Sequence, residues 1–77
     1  MDQSLDLRGL ERAASYQKAV ERLREMAENE ILELHLDEGD VLSTIPFALR
    51  AEGHEIVVSE PAENGVRLLV RKRSPIV

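Results

Sequence analysis

The 77-residue chain contains no cysteine. That absence removes disulfides, thiolate metal ligands and every thiol-based reaction in one step. No apolar run approaches the ~20 residues that span a bilayer, so no membrane segment is expected. With no disulfide requirement and no signal-peptide pattern, the cytoplasm is the expected compartment. A glycine-rich phosphate loop, a dinucleotide fingerprint and a plausible catalytic triad are all missing, and no cofactor is implied. Basic residues are in the minority: ten Lys and Arg stand against fifteen Asp and Glu, for a net charge of −5. That balance argues against general nucleic-acid binding.

What is present is enough to fold. Hydrophobic residues make up 43% of the chain and charged residues 32%, a globular rather than a disordered balance. The length suits one small domain spanning residues 1–77, with a thin core that depends on regular packing or on association.

Patterning gives the order of elements. Residues 1–4 are expected to be a disordered tip, residues 5–7 read as a short strand, and Gly9 ends it. From Ala13, apolar side chains at Tyr16, Val20, Leu23 and Ala27 fall in steps of one helical face, and Asn29 suits the stop. The stretch EILELHLD alternates, with Leu32, Leu34 and Leu36 on one side and Glu33, His35 and Asp37 on a wet side. A second helix is expected over STIPFALRAEG, with Ser43 or Thr44 as its cap, Pro46 in its first turn and Gly53 at its C-terminal end. HEIVVSE reads as a third strand, PAENG as a turn built on Asn64-Gly65, and VRLLVRK as a fourth strand, followed by a frayed tail at 74–77.

The order β-α-β-α-β-β predicts an α+β fold: a two-layer sandwich with a mixed four-stranded sheet and both helices on one face. The first two strands should be parallel and the last two an antiparallel hairpin. The other sheet face is left to water or to a partner, with Val57 and Leu69 among Glu33, His35, Arg67 and Arg71. That uncovered face and the thin core are compatible with a homodimer.

Charge is unevenly placed. Eight acidic and two basic residues lie between Glu21 and Asp40, whereas four basic and no acidic residues lie between Arg67 and Arg73. The basic stretch reads as a solvated edge strand protected by its charge. His35 reads as solvent-exposed and His54 as structural at the helix–strand junction, and two histidines so spaced do not make a metal site. Asp37, Glu38 and Asp40 lack the ligand spacing of a calcium loop and read as a solvated turn.

The blocks LDLRGL at 5–10, IP at 45–46, GHEIV at 53–57 and LLVRK at 68–72 occur in an order and spacing that covers about nine-tenths of the chain. Taken together they resemble the TusA/SirA-like family of small sulfur-carrier proteins. The resemblance implies the same two-layer fold. It also implies a Cys-Pro-x-Pro motif at the start of the first helix, whose cysteine takes a persulfide from a cysteine desulfurase or another relay protein. A helix N-terminus lowers a thiol's pKa and favours the anionic persulfide. Here the matching positions are Arg12, Ala13, Ala14 and Ser15. The cysteine is replaced by arginine and both prolines are gone, so persulfide relay through this chain is excluded and no catalytic residue is expected.

The resemblance implies a structural role for Asp6 near the carrier position. Arg12 would sit at a helix N-terminus, where a cation is unfavourable by ~0.3–1 kcal/mol. It is read either as an exposed remnant or, with the free N–H groups of the first turn, as a contact for an anion or a partner's carboxylate. The expected binding set is Arg8, Gly9, Glu11, Arg12 and Ser15. The function expected is a non-catalytic interaction or regulatory module linked to sulfur transfer, with a cysteine desulfurase or a cysteine-bearing homologue as partner. Two alternatives are a small-ligand or anion-binding domain using the first helix N-terminus, and an accessory subunit of a sulfurtransferase relay.

Overall fold

The computed structural model of the protein describes residues 2–74, without the side chains of residues 40–43. Six elements follow one another: β1 (Gln3–Asp6), α1 (Arg12–Glu25), β2 (Ile31–Leu36), α2 (Asp40–Ala51), β3 (Glu55–Ala62) and β4 (Gly65–Arg71). The strands form one sheet in the order β1-β2-β4-β3. β1 and β2 are parallel, while β4 is antiparallel to both β2 and β3. This is the mixed sheet with two helices that the element order predicts.

The alternation of β2 sets the core. Leu32, Leu34 and Leu36 are fully buried and meet Leu68 and Val70 of β4, Ala19, Val20 and Leu23 of α1, and Ile45 and Leu49 of α2. Burying a leucine side chain is worth about 1.5–3 kcal/mol, so these few residues carry much of the stability of so small a chain.

The boundaries differ from the expected ones for physical reasons. β1 starts at Gln3, not at residue 5, and ends before Leu7. Its first half is polar and is held by backbone pairing with β2, and the Asp2 carboxylate accepts the Ile31 N–H at 2.7 Å. α1 stops at Glu25 because Met26 is already extended (φ −87°, ψ 156°). Asn29 is a left-handed turn residue at φ 72° instead of the helix stop. Met26 is therefore buried, and Ala27, expected on the apolar stripe, is exposed.

α2 begins four residues ahead of Thr44, at Asp40 with Gly39 as its N-cap, so Ser43 and Thr44 lie within the helix. Pro46 is its seventh residue rather than part of its first turn, and it supplies no N–H to the helical ladder. The other end follows the sequence. Gly53 is left-handed at φ 100°, its N–H donates to the Arg50 carbonyl at 2.9 Å, and the His54 N–H donates to the Leu49 carbonyl at 3.1 Å. This pair of bonds is a Schellman closure, which glycine accommodates without a Cβ penalty.

The last two strands correct three readings. β4 is not an edge but an interior strand, flanked by β2 and β3. Pro61 and Ala62, expected in the turn, extend β3, where the edge position spares proline a missing ladder bond. Only Glu63 and Asn64 turn the chain, Asn64 at φ 61°. A bulge between Ile56 and Val58 shifts the register, so Val58, not Val57, lies opposite Leu69. Of the tail expected to fray, the Ser74 N–H donates to Glu28 Oε1 at 2.7 Å, and residues 75–77 lie outside the described residues, as does Met1.

Candidate functional site

The turn between β1 and α1 is tied to the rest of the molecule at three points. Arg8 folds back on Asp6 as a two-pronged pair, Nε to Oδ1 at 2.9 Å and Nη2 to Oδ2 at 2.9 Å, and its backbone N–H also reaches Oδ1 at 3.1 Å. Its remaining Nη1 donates to the Glu63 carbonyl in the β3–β4 turn at 3.4 Å. Gly9, at φ 83°, donates its N–H to Asp37 Oδ2 at 2.7 Å, beyond the end of β2. A left-handed conformation at this point is one that glycine adopts freely.

The Arg8 guanidinium holds the Asp6 carboxyl far below the usual carboxylate range, chiefly through its side-chain hydrogen bonds, and Asp6 in turn raises Arg8. Both groups keep their charges at neutral pH and neither can exchange a proton there. Their work is to shape the turn. Gly65 contributes to the same corner: a Cβ on it would strike the Leu36 carbonyl oxygen, so the β3–β4 hairpin closes against the end of β2 only with glycine.

Beyond the turn, Glu11 is the N-cap of α1 (φ −64°, ψ 155°), but its side chain makes no capping bond. Arg12 is the first helical residue and is exposed, and among the described residues no side chain pairs with it. No acidic side chain occupies the first helical turn. Its first N–H groups therefore have no carboxylate or hydroxyl cap, a local positive pole at the surface. Ser15 lies one turn further on. It is fully buried, with its N–H on the Glu11 carbonyl at 2.9 Å and its Oγ 3.5 Å from the Leu7 carbonyl oxygen.

The sequence-derived set thus divides by position. Arg8 and Gly9 are exposed but already engaged, by Asp6 and Asp37. Glu11 and Arg12 are exposed and open. Ser15 sits beneath the turn, its hydroxyl out of a ligand's reach. Asp37, read as part of a solvated loop, is instead the acceptor that pins Gly9. The available signal was its place immediately after β2, beside the end of the parallel strand β1.

A family model for sulfurtransferase TusA matches residues 3–72. The chain belongs to the TusA family. A search of curated proteins finds no match. The sequence resemblance expects the family's cysteine at position 12, where this chain has an arginine. The chain holds no cysteine, so none of its side chains can carry a persulfide.

Other titratable groups are engaged elsewhere. Glu33, expected on the wet sheet face, is only 8% exposed because Arg67 Nε at 2.6 Å and His35 Nε2 at 3.2 Å close over its carboxylate. Arg67 also reaches Glu60 at 2.5 Å, and Arg71 pairs with Glu55 at 3.3 Å. The basic stretch of β4 is therefore matched by acidic partners on its neighbouring strands. His54 accepts the Arg73 N–H on Nδ1 at 3.1 Å. Among the described residues, no three His, Asp or Glu side chains gather to hold a metal ion. No helix among them is long and apolar enough to cross a membrane.

Proposed function

We propose that this TusA-family chain serves sulfur transfer by protein contact and not as a persulfide carrier. The observation that supports this is the exposed, unpaired Arg12 at the first position of α1, on a turn braced by Asp6, Arg8 and Asp37. A guanidinium so placed offers a planar set of donors to a carboxylate, beside the free N–H groups of the helix start. A rigid turn loses little freedom on docking, which favours recognition over adaptation. The partner kind that fits is a protein of the sulfur relay with an acidic contact, a cysteine desulfurase or a cysteine-bearing homologue, met in the cytoplasm by this chain acting as a single domain.

The test is a pull-down with the wild-type chain and Arg12→Glu as paired baits. Relay proteins captured by the wild type and lost with the variant are the expected result. Equal capture by both baits removes Arg12 from the contact and with it this reading.

A further inference from the structure

A second cavity lies at the other end of α1, about 20 Å from Arg12 along a 14-residue helix. It measures about 290 Å³ and is walled by Arg24, Glu52, His54, Lys72, Arg73 and Ser74. Three of these side chains are cationic and one is anionic, in a chain whose net charge is −5. A further carboxylate, Glu28, is already held by Arg73 Nε at 3.6 Å and the Ser74 N–H at 2.7 Å.

The donors here are not used up. Lys72 is only 9% exposed, and its Nζ donates to the carbonyls of Leu23 and Met26, which leaves the third of its N–H groups. His54 accepts the Arg73 N–H on Nδ1, so the neutral ring carries its proton on Nε2, for which no acceptor is present among the described residues. The Arg24 guanidinium likewise has no partner among them. Lys72, His54 and Arg24, each with a donor to spare, line this one small space together with Val20.

We propose that this cavity binds a small tetrahedral oxyanion of the sulfate or phosphate kind. Such an anion accepts from several directions at once, which matches donors drawn from α1, the α2–β3 junction and the end of β4. The volume lies at the lower limit of ligand pockets, about 300 Å³, and suits a small ion with some hydration better than a large organic ligand. The site is separate from the Arg12 contact and does not depend on it.

The test is a titration of the full chain with sodium sulfate and with sodium phosphate at constant ionic strength, followed by amide NMR against a sodium chloride control. Saturable shifts centred on His54, Arg73 and Ser74 are expected. Arg24→Gln, a change at an exposed and unpaired side chain, should weaken binding by about tenfold, the loss of one charged hydrogen bond. Arg12→Glu should leave the titration unchanged. Shifts that do not saturate, that chloride reproduces, or that survive Arg24→Gln at full strength overturn the proposal.

Discussion

Lys72, one residue past the end of β4, closes the far end of α1: its Nζ donates to the carbonyl oxygens of Leu23 and Met26, the latter at 3.2 Å. The last carbonyls of a helix have no partners of their own, and a cation there also answers the negative end of the helix dipole. Two backbone bonds run beside it, Lys72 N–H to the Glu30 carbonyl at 2.8 Å and Asn29 N–H to the Lys72 carbonyl at 2.9 Å. Lys72 thus ties the end of α1 to the end of the sheet.

Lys72→Met keeps the apolar stem and removes the donors. The two carbonyls then lose a charged partner that is itself largely buried. We expect destabilisation of about 1–3 kcal/mol, read as a lower denaturation midpoint with an unchanged slope. A midpoint equal to the wild type would show that water replaces the ammonium without cost.

Glu33 is the second place where a charge is held inside. It sits on the sheet face away from the helices, yet Arg67 and His35 cover it. Glu33→Ala leaves Arg67 with Glu60 as its remaining acidic partner. The pair is neither fully exposed, where such bridges are worth about 0–1 kcal/mol, nor fully buried, where breaking one costs about 3–5 kcal/mol. The expected loss is therefore about 1–3 kcal/mol by urea unfolding, and in a double-mutant cycle with Arg67→Ala the two losses should add to more than the pair's combined loss.

Most of the fold was legible in the residues because its signals are local. The alternation of Leu32, Leu34 and Leu36, the 3–4 spacing through Tyr16, Val20 and Leu23, and the Asn64-Gly65 turn each follow from neighbours in the chain. The misreadings share another origin. β4 reads as an edge in the sequence because Arg67, Arg71, Lys72 and Arg73 look solvated in isolation. The partners of the three arginines, Glu33, Glu60, Glu55 and Glu28, lie at least seven positions away, and Lys72 binds carbonyls of α1, so only the folded chain shows that the charges are matched. The α2 start was set too late because Pro46 favours a first turn, whereas the helix accepts it further in. At the site, Arg8, Gly9, Glu11 and Arg12 are contiguous and were found together. Asp37 was not, since its bond to Gly9 spans the β1–β2 pairing.

His54 links stability to pH. Burial, and then the nearby Lys72 charge, lower its pKa below the ordinary value of 6.5, while Glu52 and Glu28 oppose them. The unfolded chain thus binds this proton more readily than the folded one. Folded stability should be fully present above about pH 6.5 and should fall as pH drops from there through the lowered value. Urea midpoints of wild type and His54→Gln across that interval provide the check. The acid-side slope should be shallower in the variant, and equal slopes would assign the effect to other groups.

The capacity of the α1 start can be separated from the side chain now on it. Arg12→Cys places a single thiol at the first helical position, exposed and without an acidic side chain in the first turn. The free N–H groups and the helix dipole there favour a thiolate, and Glu11, one residue before, opposes it. Glu11 is exposed and screened by water, so the rate of iodoacetamide alkylation should show a midpoint below the ~8.5 of an unperturbed thiol. A midpoint at or above that value would mean that Glu11 cancels the helix end. The start of α1 would then be unsuited to a thiolate whichever side chain it carried.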